Sequence, residues 1–271
     1  MITIKDLKFS YGSKNVLDNI TMNLLPGKIY GLLGENGVGK TTLLTLLAGL
    51  KKPQVGEIRI GDEIPYQRRP SLLADIVYLP DEVPEINDKA VNFARNNGAL
   101  RPNFSMDLFL EVMREFDTDP EQKMSSMSAG QLKKTHISFA LACRSAYLFM
   151  DEPTNGLDIP SKAQFRKAMM SHTREDSTIV ISTHQVRDLE NIIDPIIILD
   201  KQAVLLNASL EEIGKKLYFD YGNTLSPDSL YSEQIPGGFI QVRPNTEGLE
   251  SKINVEALFN AIHNHKDLFK K

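Results

Sequence analysis

The chain has 271 residues, 41% of them hydrophobic and 24% charged, an ordinary globular composition that suffices for one large α/β domain or a core domain with a small appendage. Its 31 lysines and arginines against 35 acids give a net charge of −4, which supplies no field for a polyanion, so nucleic acid is not expected as a partner. The only cysteine, Cys143, cannot form an internal disulfide, the start "MITIKDLKFSYG" carries charges where a signal peptide needs apolar residues, and no segment approaches the ~20 apolar residues that span a bilayer. A reducing cytosol fits these features, and any membrane role falls to a partner.

Ile2 and Ile4, then Ile20, Met22 and Leu24, alternate with polar residues around turn signals at "YGSKN" and "PGK", which predicts short antiparallel strands. "KIYGLLG" reads as a strand that ends in glycine, and "KTTLLTLLAGL" is apolar nearly all round, the pattern of a buried helix capped by Gly49. After a further strand at "GEIRIGDEI", "VYLPDEVPEI" runs out of an apolar stretch into a proline and two acids, Asp81 and Glu82. Residues 84–127 then change character, and Leu108, Phe109, Val112, Met113 and Phe116 at helical spacing predict a helical insertion. A second helix from 129 places Leu132, His136, Phe139, Ala140 and Cys143 on one face, where His136 reads as structural and Cys143 as a small packed hydrophobe. "AYLFMDEP" and "STIVISTH" look like central strands of a parallel sheet, "DPIIILDKQAVLLN" like a strand hairpin, and "SLEE" at 209–212 like a capping box. Beyond about 218 the composition turns to Gly, Pro, Ser and Asn, with a strand pair around "PGG" and an amphipathic helix at "VEALFNAIHNH".

"GENGVGKTT" at 34–42 fits G-x-x-x-x-G-K-[ST] and lies between a strand and a helix, the context such a loop requires. Gly34, Gly37 and Gly39, with Glu35, Asn36 and Val38 between them, let successive N–H groups point at phosphate oxygens at a helix amino terminus. Lys40 is placed to reach the β- and γ-phosphates and the Thr41 hydroxyl to ligate Mg²⁺, with Thr42 closing the loop. A site of this kind needs a second carboxylate on the metal side, and "YLFMDE" offers Asp151, with Glu152 as base or orienter of an attacking water.

"MSAGQLKKTHISFALA" from Met127 resembles the signature motif of ATP-binding cassette (ABC) proteins, "DEPTNGLD" at 151–158 resembles their Walker B segment and D-loop, and "STH" ending at His184 their switch histidine. The resemblance covers residues 1 to about 210. It implies a P-loop NTPase (RecA-like) α/β core with an amino-terminal antiparallel β subdomain, an inserted α-helical subdomain at about 84–145, and a small carboxy-terminal α+β extension. On that division 1–217 is the ATPase domain and 218–271 an extension of unassigned role.

The resemblance further implies a head-to-tail dimer. Ser128, Ala129, Gly130 and Gln131 of one cassette would meet the γ-phosphate held by the other, Tyr11 would stack on adenine, Asp158 would belong to the D-loop, and His184 would sense the γ-phosphate. Two positions depart from the pattern. Ala129 replaces a glycine, which predicts a negative φ there, because a methyl at positive φ would cost on the order of 1 kcal/mol. The family's glutamine after "YxP" is here Asp81, so Asp81 or Glu82 is expected to take the linking role, with Asp81 as a third metal-side group.

The resulting expectation is an ATP-hydrolysing subunit of an ABC transporter, using ATP and Mg²⁺, acting as a homodimer or heterodimer and energising a separate transmembrane permease. It would be cytoplasmic and peripheral on the inner face of the membrane. A soluble ABC ATPase acting in assembly or remodelling, and a non-hydrolysing module that uses ATP as glue, are the alternatives; the intact Glu152 argues against the second.

Overall fold

The computed structural model describes residues 1–269, and Lys270 and Lys271, the last two residues of the expected extension, lie outside the described residues. Two long strands open the chain, β1 (Ile2–Tyr11) antiparallel to β2 (Lys14–Leu24). Alternation buries Ile2 and Ile4, then skips a residue at Asp6, where φ is +48°, and this bulge returns Leu7 and Phe9 to the core face. β3 (Lys28–Leu33) leads through residues 34–39 into α1 (Lys40–Leu47), and β4 (Val55–Ile60) then pairs with β1 to complete the three-stranded order β2-β1-β4. Gly49 ends α1 at φ +69°, with its N–H on Leu46 O and that of Leu50 on Thr45 O, so the glycine cap read from the sequence is a full Schellman motif.

α2 (Pro70–Ala74) and β5 (Ile76–Leu79) precede the helical region of α3 (Ala90–Gly98), α4 (Met106–Glu115) and α5 (Ala129–Ala142). β6 (Tyr147–Asp151), α6 (Ile159–His172) and β7 (Thr178–Thr183) follow, and the antiparallel hairpin of β8 (Ile196–Asp200) and β9 (Ala203–Ala208) is the one expected from "DPIIILDKQAVLLN". Together they form a six-stranded sheet in the order β5-β6-β7-β3-β8-β9, parallel except at β9. β7 and β8 are buried at every position, as a parallel sheet covered on both faces requires. α1 fills the space between this sheet and the β2-β1-β4 sheet through Leu43, Leu44, Leu46 and Leu47. The other face is covered by α4, α5 and α6, while Phe93, Phe109, Met113, Met124 and Leu132 form a separate small core within the helical region.

α7 (Leu210–Lys216) starts at the Ser209–Glu212 capping box. β10 (Leu217–Gly222), β11 (Tyr231–Ile235) and β12 (Gly238–Pro244) then make an antiparallel sheet in the order β10-β12-β11, and α8 (Val255–Asn264) follows. The β11–β12 hairpin turns at "PGG"; β10 was not anticipated, although Leu217 and Phe219 alternate inward. Leu217, Phe219, Val242, Val255, Leu258, Ala261 and Ile262 join the same buried cluster as Ile192, Ile193 and Leu205, so the region after 217 shares the central core.

Candidate active site

Parallel strands deliver their carboxyl ends to one edge of the sheet, where open α/β folds place their ligands. β3 ends at the glycine loop, β5 at Asp81, β6 at Asp151 and β7 just before His184. The loop can pass there because two glycines remove side chains. A Cβ on Gly34 would stand 2.5 Å from Leu199 O, and Gly39, at φ +111°, would put one 2.9 Å from Leu17. A cleft of about 310 Å³ opens over the loop, lined by Tyr11, Asn36, Gly37, Gly39, Lys40, Thr41, Thr42, Asp81, Asp151 and Glu152. A larger groove, about 880 Å³, lies between residues 190–194 and 245–255; it lacks the loop and its paired donors, so the chemistry belongs to the smaller cleft.

Lys40 folds back on the loop that carries it, its ammonium donating to Gly34 O at 2.8 Å and Glu35 O at 3.2 Å. Burial pushes its pKa below the usual lysine range, and the Glu152 and Asp151 charges pull it partly back. The Thr41 hydroxyl donates to Asp151 Oδ2 at 2.6 Å, and the Ser182 hydroxyl donates to the other Asp151 oxygen. Glu152 follows at φ +44°, with its N–H on Ser182 O at 3.1 Å. Its carboxylate lies between two nitrogens, Lys40 Nζ at 3.7 Å and His184 Nδ1 at 2.9 Å, and accepts the His184 N–H at 3.3 Å. Its side chain is only 11% exposed, against 37% for His184.

Tyr11 stands at the rim, half exposed, edge-on to Phe9 at 5.0 Å, with its hydroxyl 3.4 Å from Thr42 Oγ1 and the Lys51 ammonium 5.0 Å from its ring centre. His184 lines a second hollow together with Gly34, Glu35, Asn36, Val186 and Phe259 from α8. Ser128, Ala129, Gly130 and Gln131 do not line the cleft of their own chain. Ser128 caps α5 in a reciprocal box: its hydroxyl accepts the Gln131 N–H at 3.2 Å, and Gln131 Oε1 accepts the Ser128 N–H at 2.9 Å. Ala129 is the first residue of α5 and is absent from the positive-φ residues, as expected. Asp158 caps α6 by accepting the Ser161 N–H at 2.9 Å, and the Ser161 side chain first, then that N–H, hold its carboxyl below the usual range. Glu82 is exposed and does not line the cleft.

Three contributors were missed in the sequence: Ser182, Asn155 and Lys133. Lys133, its side chain 5% exposed, donates to the Asp81 main-chain oxygen and lies 3.4 Å from both Pro80 O and Asp81 Oδ1. The Asn155 amide donates to both Asp81 carboxylate oxygens, at 3.2 and 3.4 Å. A signal for Lys133 was present: with His136, Ile137 and Ala140 it completes an i, i+3, i+4, i+7 stripe, and a lysine on a buried stripe needs a partner.

Comparisons with known proteins bear on the family and the fold. The sequence profile of the ABC transporter family matches residues 17–155, more than half of the chain. The bacitracin transport ATP-binding protein of Bacillus licheniformis is 30% identical over 228 residues, 80% of this chain and 72% of that protein. An uncharacterized ABC transporter ATP-binding protein of Methanocaldococcus jannaschii is 28% identical across 86% of this chain and 88% of its own length. In fold, a dimeric ATP-binding cassette in a post-hydrolysis state bound to ADP and Pi superposes with a TM-score of 0.68 at 20% identity, over 78% of this chain and 99% of that one. From glycine loop to signature helix, the chain belongs to the ABC transporter family.

Proposed function

We propose that the Gly34–Thr42 loop holds the ATP phosphates, Glu152 activates the attacking water, and hydrolysis drives a separate transmembrane permease. The observation that carries this reading is the buried Glu152 carboxylate set between Lys40 at 3.7 Å and His184 at 2.9 Å, on the wall of the phosphate-loop cleft. Lys40 turns from Gly34 O and Glu35 O to the phosphates, and His184 orients Glu152 while reporting on the γ-phosphate. Tyr11 offers its exposed ring to adenine. Thr41 and Asp151 would hold Mg²⁺, and their hydroxyl and carboxylate, 2.6 Å apart, are the hard oxygen donors that ion prefers. When bound there, the ion offsets phosphate charge. Asp81, already engaged by Lys133 and Asn155, would reach the metal side only through water.

Ser128 to Gln131 lie outside the cleft of their own chain, which supports their serving a partner copy's site, with Asp158 at the junction. Because one chain carries both the loop and the signature, we propose a homodimer with two complete sites. Residues 1–217 act as the cassette, with 84–145 as its helical lobe and the rest as an extension. No helix among the described residues is long and apolar enough to cross a membrane, and relatives are named for transport of bacitracin and manganese. The proposed location is therefore cytoplasmic, peripheral on the inner face of the membrane, against a permease. Mg²⁺-dependent phosphate release by the purified chain, abolished in Glu152→Gln, tests the chemistry; co-purification of a multi-span membrane protein tests the partner. Turnover by Glu152→Gln at the parent rate would remove the base assignment.

A further inference from the structure

The strand-end acids Asp81, Asp151 and Glu152 share one cleft, and two buried lysines serve it. Lys40 belongs to the phosphate loop. Lys133 lies on the second turn of α5, the helix that Ser128 opens, and every oxygen it reaches belongs to Pro80 or Asp81. An ammonium withdrawn from water needs such acceptors, so the start of α5 and the exit of β5 are held at one point. Asn155, between β6 and α6, donates to both oxygens of the same carboxylate. Gly130 also lies near this turn, since a Cβ on it would come 3.7 Å from Gly156 O.

We propose that Lys133 is a positioning residue that clamps Asp81, with Asn155 as the second jaw, so that the Asp81 segment, the signature end of α5 and the 154–158 turn move as one body when the phosphate site is occupied. This inference rests on the ATPase reading above and extends it to a residue outside the nucleotide contacts. Asp81 lines the cleft where charge changes during turnover, while Ser128, Gly130 and Asp158 lie outside it, where the proposed homodimer would place a partner copy. A carboxylate has about four lone-pair positions. Lys133 and Asn155 converge on Oδ1, which leaves Oδ2, touched only by Asn155, as the oxygen free to respond to the cleft. Lys133 does not itself line the cleft and reaches it only through Asp81, so its loss should alter turnover more than the affinity for nucleotide.

The test is steady-state ATP turnover by the full chain, with fluorescent-nucleotide binding and thermal melting measured on the same samples. Lys133→Met is expected to lower kcat by about tenfold, with nucleotide affinity within about twofold and the chain still folded at the assay temperature. Lys133→Arg, which keeps charge and reach, should recover most of the rate. Asp81→Asn combined with Lys133→Met should lose no more than the worse single change, because both break one clamp. Parent-level kcat in Lys133→Met, or losses that multiply in the double variant, would overturn the proposal. Should Lys133→Met fail to fold, the exposed Asn155→Ala must show the same loss confined to kcat, and its absence overturns the proposal equally. A parent chain without ATP turnover would overturn the ATPase reading and this inference together, whereas an active parent with an indifferent Lys133→Met removes only the inference.

Discussion

Glu152 carries both a chemical role and a backbone constraint. Its φ of +44° places a non-glycine residue in the left-handed region, which costs of order 1–3 kcal/mol and persists where surrounding bonds fix it. Here the N–H is fixed by Ser182 and the carboxylate by His184. Glu152→Ala and Glu152→Gly remove the same carboxylate but differ at the backbone, so the glycine variant is expected to be more stable by about 1 kcal/mol in denaturant melts. Both should lose turnover, as should Glu152→Gln, by roughly 100-fold or more as expected when a general base is removed. Equal stability of the alanine and glycine variants would show that the local backbone relaxes without cost. At this scale the phosphate loop, Asp151 and Glu152 were legible because their motifs are contiguous. Asn155, Ser182 and the partner of Lys133 were not, because the contacts join residues far apart in sequence and only the fold brings them together.

At the scale of the element, α5 combines a cap, a buried histidine and a buried lysine. Ser128→Ala removes the capping oxygen and should cost about 1 kcal/mol. Ser128→Asp keeps a cap for the Gln131 N–H but adds a negative charge where a partner's phosphate would sit. Its melting temperature should stay near the parent's while turnover collapses; retained turnover would exclude Ser128 from the phosphate contact. His136 packs on Phe93 at 5.2 Å with Nε2 3.2 Å from Pro84 O, and burial pushes its pKa down. The fold thus prefers the neutral ring, so its stability is complete above the unfolded value of about 6.5 and falls as pH drops from there toward the lowered folded value. A series of melts from pH 8 to pH 5 should show that loss, and His136→Gln should flatten it. Cys143, on the same helix, has its thiol pushed up to about 12 by burial and behaves as the packed hydrophobe read from the sequence. Periodicity exposed the buried face of α5 but not the depth of its burial. Thr135 and Ser138 are buried as well, and their hydroxyls bond back to Gln131 O and Lys134 O.

At the scale of the whole molecule, the region after β9 is tied to the sheet by charge as well as by apolar contact. Lys266 reaches the buried Asp200 at 2.6 Å, and Arg187 pairs with Glu256 at 2.7 Å on the surface. Leu258 is fully buried, so Leu258→Ala should cost about 2–5 kcal/mol. Calorimetry should show a single unfolding transition that shifts as a unit, because one core serves both parts; a separate low-temperature transition would show that the tail melts alone. The composition shift near 218 marked a change in element lengths but did not reveal this shared packing. Surface loops rich in Gly, Pro and Ser look alike whether they tether a free module or border a buried helix.

Phe259 gives that packing a direction in time. It lines the hollow beside Gly34, Glu35, Val186 and His184, so a residue of the region after 217 borders a loop that is made more than 200 residues earlier. During synthesis at about 5–20 residues per second, β3 and its loop leave the ribosome well before α8 does. In that interval Leu33 and Val186 lack their cover, and the nascent chain carries an unfinished phosphate site. The order of translation therefore brings α8 to this hollow after the loop and its sheet have formed, and a ribosome-stalled chain lacking residues 255–262 should retain nucleotide less well than the released protein.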